Sequence, residues 1–156
     1  MIKYLAVFFI SMIPILELRF AVPFAVGMDL PYIPALITCV IGNMVPVPFI
    51  YLFARKFLLW GAQQKLIGTF CQKVLEKGEK AGQKIVAATG RGGTFVALML
   101  FVGIPVPGTG AWTGTLAASL LDLGPKTTAA AVSMGVIMAG IIMAVASGSV
   151  FHIVGL

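Results

Sequence analysis

The punctuation of this 156-residue chain recurs at an interval of about 93 residues. Phe8 is answered by Phe101, Pro14 by Pro107, Asp29-Leu30 by Asp122-Leu123, and Gly42 by Gly135. In each copy a short apolar run meets a Pro/Gly-rich break. An Asp-marked turn follows, then a long uninterrupted apolar stretch. The first break lies within Ile13-Pro14-Ile15-Leu16-Glu17-Leu18-Arg19-Phe20-Ala21-Val22-Pro23. The second lies within Gly103-Ile104-Pro105-Val106-Pro107-Gly108-Thr109-Gly110-Ala111-Trp112-Thr113-Gly114. Interrupted hydrophobic segments at matching places in two halves mark the binding site of a membrane carrier.

Composition places those breaks in a bilayer. Hydrophobic residues make up 60% of the chain and charged residues 10%, with a mean hydropathy of +1.05. That is more apolar surface than a soluble domain of this size can hide. Lys3 before an apolar run imitates a signal peptide, but Glu17, Arg19 and prolines follow instead of a small-residue cleavage site. The segment is expected to belong to the mature fold. Cys39 sits in an apolar stretch and Cys71 in a polar one, which argues against a disulfide framework or a metal pair.

The net charge of +6 is concentrated in the middle of the chain. Arg55, Lys56, Lys65, Lys73, Lys77, Lys80, Lys84 and Arg91 face only Glu76 and Glu79 there. Basic loops stay in the cytoplasm, so residues 54–93 are expected on the cytoplasmic side of a prokaryotic inner membrane. Ile67, Phe70, Val74, Ala81 and Ile85 recur at helical spacing, while Lys73, Lys77, Lys80 and Lys84 form a basic stripe. Such a helix can lie on the inner leaflet with its lysines on anionic headgroups, or serve as a solvated face that fixes topology. Nucleic-acid binding lacks aromatic or motif support.

Lengths then set the architecture. Residues 32–53 and 126–150 are each long enough to span. Pro46 and Pro48 should kink the first of these near its inner end. Residues 2–28 and 94–121 are each about 27 long, too short for two crossings at ~20 residues each. Each is expected to form a re-entrant hairpin that turns at its break. The expected fold is all-α and integral to the membrane: two inverted repeats, 1–53 and 94–156, each a re-entrant hairpin plus one transmembrane helix. The amphipathic cytoplasmic helix joins them. With small residues such as Ala131, Gly135, Ala139 and Gly140 on the second span, a homodimer is expected.

Glu17 and Arg19 are the only charges after Lys3 in the first apolar region. At membrane depth a charged side chain costs at least ~2.5–3.5 kcal/mol on insertion scales, and such residues usually serve function. Arg19 suits a fork of donors for a phosphate or carboxylate. Glu17 suits a proton carrier, since burial disfavours the charged form. The alternative is a mutual ion pair that merely neutralises both. The second break is uncharged. Its glycines and consecutive amides suit an anion-binding nest beside a helix start, or a tight turn that lets two hairpins touch. The candidate substrate-binding set is therefore Glu17, Arg19, Pro14, Pro23, Pro105, Pro107, Gly108, Thr109, Gly110, Trp112 and Thr113. No catalytic constellation, cofactor motif or metal-ligand cluster is visible, and His152 has no evident partner.

The two break segments, taken together, resemble the small multidrug export protein family over nearly the whole chain. That family is similar in turn to the DedA (VTT-domain) membrane proteins, and Arg91-Gly92-Gly93-Thr94 also resembles their pattern. The resemblance implies two re-entrant hairpins and a role in moving lipid carriers such as undecaprenyl phosphate, with proton dependence. The chain departs from the DedA pattern in the second hairpin: arginines there are replaced by Gly110 and Trp112, and the arginine stands in the first hairpin. Three readings follow: a proton-coupled secondary carrier for an anionic or amphipathic substrate such as a lipid phosphate, a small multidrug exporter, and a non-transporting membrane-organising protein.

Overall fold

The computed structural model describes the backbone of residues 1–64, 67–89, 93–106 and 108–154. It describes side chains in those ranges other than 54, 55, 85, 88, 89 and 148–154. All regular structure among the described residues is helical. Helix α1 spans Ile2–Met12 and α2 spans Glu17–Gly27, 11 residues each. Helix α7 (Thr94–Gly103) and α8 (Ala111–Leu120) have 10 each. A helix of that length rises only about 16 Å, half of a ~30 Å hydrocarbon layer.

Proline chemistry ends the first helix of each pair. The ring of a proline disfavours helical backbone in the residue before it. Ile13, ahead of Pro14, is extended (φ −73°, ψ 128°), and Ile104, ahead of Pro105, is extended as well (φ −81°, ψ 119°). The second helix of each pair ends in one and the same way. Asp29 and Asp122 adopt left-handed backbone, with φ of 56° and 52°. The Leu30 amide bonds the Ala25 carbonyl and the Asp29 amide that of Val26. Leu123 and Asp122 repeat this pattern on Ala118 and Ser119. Both are Schellman closures, and Asp tolerates the left-handed position that glycine usually fills. The recurring Asp-Leu pairs of the sequence are these closures.

The long helices follow. Helix α3 (Tyr32–Met44) leads into α4 (Pro46–Phe49), a π turn (Ile50–Ala54) and α5 (Arg55–Gly61). Pro46 and Pro48 supply no N–H, so carbonyls one turn earlier lose their donors and the path deforms there. Helix α9 (Pro125–Val154) runs without interruption. Among the described residues, Tyr32–Phe53 and Pro125–Ser147 are the two helical stretches long and apolar enough to cross a membrane. Large apolar side chains such as Ile33, Ile37 and Ile41 on α3, and Ile137 and Ile141 on α9, point outward. Their spacing gives each helix a face suited to lipid.

Helix α1 packs on α2 and α3, α7 on α9, and α2 bridges α3 and α9. Helices α3 and α9 run antiparallel. Tyr32 and Ala35, early in α3, share a small cavity with Ala144, late in α9. Met44 and Val47 at the other end border Pro125 and Thr128. The Tyr51 hydroxyl donates to the Leu123 carbonyl at that end. The buried core joins both halves, with Val7, Leu18 and Cys39 from the first and Leu98, Val102 and Val132 from the second. Cys39 and Cys71 are buried and unpaired with each other.

The basic segment forms α5 and then α6 (Gly68–Thr89). The packing face of α6 matches the expected one at Val74 and Ala81 but departs from it elsewhere. Cys71, Gly78 and Ala81 face the protein, whereas Phe70 is 69% exposed and Ile67 is also turned outward. The reason is steric. Cβ atoms placed on Gly78 and Gly82 would lie 2.8 Å and 3.0 Å from Leu120 and Leu121, so α6 approaches α8 through its smallest residues. The side chain of Ile85 lies outside the described residues.

Candidate functional site

The two breaks meet. Glu17 opens α2 in left-handed backbone (φ 50°), a conformation that costs a non-glycine residue roughly 1–2 kcal/mol. Its carboxylate is turned onto the start of α8. It is 7% exposed and accepts a hydrogen bond from the Trp112 amide at 3.3 Å. The carboxylate caps a helix of the other half, at the positive end of that helix's dipole. Gly110 makes this possible. A Cβ there would lie 2.1 Å from one Glu17 carboxylate oxygen.

Arg19, half-buried and two residues on, reaches a different part of the second break. Its guanidinium donates to the Val106 carbonyl, to the Ile104 carbonyl at 3.4 Å and to the Thr109 hydroxyl at 2.8 Å. These carbonyls belong to backbone just past the C-terminal end of α7, where a cation meets the negative end of the dipole. The Thr109 hydroxyl also stands 2.8 Å from the Val106 carbonyl and 3.0 Å from that of Ile104, so it accepts from Arg19 and donates onward to one of them. Gly108 turns the backbone here at φ +86°. Trp112 completes the joint, its indole N–H donating to the Met12 carbonyl at the end of α1 at 3.2 Å.

These contacts bear on the sequence expectations directly. Glu17 and Arg19 each bond to the second break, so their mutual attraction is not the whole account of how both are accommodated. The nest and helix start expected to receive an external anion are faced by the protein's own carboxylate. Backbone groups left unpaired at a helix break need other partners, and these two side chains supply some of them.

Around the joint lies a cavity of about 470 Å³. Pro14, Ile15, Glu17 and Arg19 line it from the first break, and Pro105, Gly108, Thr109 and Thr113 from the second. Gly110 stands behind Glu17, and Trp112 lines an adjoining apolar cavity of about 330 Å³. Pro23 is not on the wall. It lies inside α2, four residues beyond Arg19, where it denies the Arg19 carbonyl its helical donor. Pro107 and Arg91 lie outside the described residues.

Sequence reasoning did not single out Lys77 for this site. It stands on α6 at the rim of both cavities, apart from the role expected for it beside Lys73, Lys80 and Lys84. The available signal was its neighbour Gly78, together with Ala81 and Gly82: small residues on a basic helix mark the face that touches protein. Among the described residues no group of three or more His, Cys, Asp or Glu side chains could hold a metal ion. The side chain of His152 is not among those described.

Neither a search of the curated proteins nor one of the solved structures found a match to this chain. The model of the family described as "Putative small multi-drug export protein" matches residues 17–142, from the Glu17 of the first break through the second break and into α9. With both sides of the joint inside that match, and two helices able to cross a bilayer, the chain is a membrane protein that belongs to this small multi-drug export family.

Proposed function

We propose that the protein is a proton-coupled secondary carrier that moves an anionic or amphipathic substrate, such as a lipid phosphate, through the cavity between the two breaks. One observation carries this reading: a fixed cation, a buried carboxylate and broken backbone from both halves converge on a single cavity of about 470 Å³. Half-length helices that turn at the breaks support hairpins that re-enter the bilayer. The antiparallel course of α3 and α9 supports an inverted pair of repeats. Two hairpins entering from opposite faces and meeting in the middle give alternating access about a fixed site.

The chemistry follows from the joint. A guanidinium has five N–H donors, and three bonds hold the second break. The remaining donors can grip a substrate oxygen. An anion on Arg19 brings like charge towards Glu17, which favours the protonated carboxyl. Substrate and proton then load together. A protonated Glu17 is a weaker cap for α8, so loading also loosens the bond that holds the hairpins in register. The family's description favours a second reading, export of drugs, and the apolar cavity beside Trp112 suits lipophilic molecules. Arg19 and Lys77 at the polar cavity favour anions over cations. A membrane-organising role without transport would tolerate neutral replacement of both charges.

Proteoliposomes test the proposal, with uptake or flipping of a labelled alkyl phosphate measured with and without a pH gradient. Arg19→Lys, which keeps the charge but not the planar fork, should impair transport, and Arg19→Ala should nearly abolish it. Glu17→Gln should still exchange substrate while gradient-driven accumulation fails. If Glu17→Gln and Arg19→Ala both transport at wild-type rates with wild-type pH dependence, the pair is structural and the carrier reading is wrong.

A further inference from the structure

The polar cavity at the joint and the apolar cavity beside it are not separate. Pro14, Lys77 and Thr113 line both. The polar side holds Arg19, Glu17 and the Thr109 hydroxyl. The apolar side is walled by Ile50, Phe57, Leu58, Val74, Trp112 and Leu116. Lys77 stands on the boundary. A lysine there can lay its aliphatic stem along the apolar wall and present its ammonium to the polar side. Helix α6 brings it in, because Gly78 lets the helix settle against Leu116 and Leu120.

From this we infer that the joined cavities form one amphipathic groove for a single-tailed anionic amphiphile, with its head between Arg19 and Lys77 and its tail along Trp112. The inference deepens the carrier reading and rests on it for the role of Arg19. It adds a second headgroup residue, a defined tail path and a limit of one tail. Charge complementarity selects the head: two cations face one carboxylate that can be neutralised by a proton. A single apolar cavity of about 330 Å³ selects the tail. It has room for a chain on the order of ten carbons, each displacing roughly the volume of a water molecule. A free phosphate would satisfy the head alone and gain nothing from the tail path.

Binding can be read without transport, because Trp112 is itself in the groove. The chain has two tryptophans. Trp60→Phe leaves Trp112 as the sole emitter. The full-length variant in zwitterionic nanodiscs is titrated with an alkyl phosphate brominated on its tail, with the brominated alcohol of equal length as the neutral control. The expected result is saturable quenching by the phosphate and only linear, partition-like quenching by the alcohol. Unbrominated alkyl phosphates should compete, gaining about fourfold in affinity per methylene until the chain fills the groove. Lys77→Gln should weaken binding at least about tenfold, the scale of a charge-assisted hydrogen bond. Lys77 is exposed at the rim, so its replacement should not disturb folding. Inorganic phosphate competing as well as the alkyl phosphates, quenching that never saturates, or indifference to Lys77→Gln would each overturn the proposal. Transport of anions without tail dependence would sink this inference and leave the carrier reading standing. Tail-dependent binding without transport would do the reverse.

Discussion

At the scale of single residues, Glu17 and Arg19 were conspicuous in the sequence because charge at membrane depth is costly, and both do sit at the joint. Their partners were not legible. Arg19 binds two backbone carbonyls and a hydroxyl, and a carbonyl leaves no trace in the identity of its residue. Glu17 binds an amide for the same reason. Gly110 was in the candidate set as part of a nest for an external anion, whereas its missing side chain is what admits the protein's own carboxylate. The Gly110→Ala replacement places a methyl on a Glu17 oxygen, so it should destabilise the fold by about 2–3 kcal/mol through overpacking and loss of the cap. Gly108→Ala meets nothing within 4 Å. Its cost should be only the left-handed backbone, about 1–2 kcal/mol. Unfolding in mixed detergent micelles measures both. Combining Gly110→Ala with Glu17→Ala separates the two causes, because removing the carboxylate should recover part of the loss from Gly110→Ala and none of that from Gly108→Ala.

At the scale of elements, the short helices were legible because prolines end them: Ile13-Pro14 and Ile104-Pro105 break the chain at both hairpin tips. The kink in the first span was legible from Pro46 and Pro48. The π turn after it was not, since no residue type encodes a widened turn. That turn sits beside α8, where the Ser119 hydroxyl donates to the Tyr51 carbonyl at 3.0 Å while the Tyr51 hydroxyl reaches Leu123. The first span is thus fastened to the closing turn of the second hairpin. Tyr51→Phe should cost about 0.5–1.5 kcal/mol, the value of one neutral hydrogen bond, in the same micelle assay. The lysine stripe on α6 was read as one face, and Lys73, Lys77, Lys80 and Lys84 are all exposed. Lys77 alone of the four also stands at the rim of the two cavities.

At the scale of the whole molecule, the order of elements carries the argument for orientation. The basic α5–α6 connector should be cytoplasmic, with both ends of the chain on the opposite side. Single cysteines at Lys80 and Gly155 test this in intact cells: position 155 should label from outside and position 80 only after permeabilisation. The reverse pattern at either position would remove the inverted arrangement. Two spans enclose a path poorly, and large apolar side chains cover the outer faces of α3 and α9. A homodimer is the expected state, to be checked by mass measurement in nanodiscs, where a strictly monomeric species at all concentrations would count against it. The matching Asp-Leu closures were legible because that punctuation recurs, whereas the division of roles between the two breaks was not. The two charges that bond across the joint, Glu17 and Arg19, both come from the first break, and the second answers with peptide groups and one hydroxyl. Peptide groups are common to all residues. The second hairpin is therefore free to drift in sequence at positions such as Ile104 and Val106 so long as its path is kept. The first cannot lose the side chain of Glu17 or Arg19 without giving up bonds across the joint. The two breaks would therefore vary at unequal rates, one constrained in its letters and the other only in its shape.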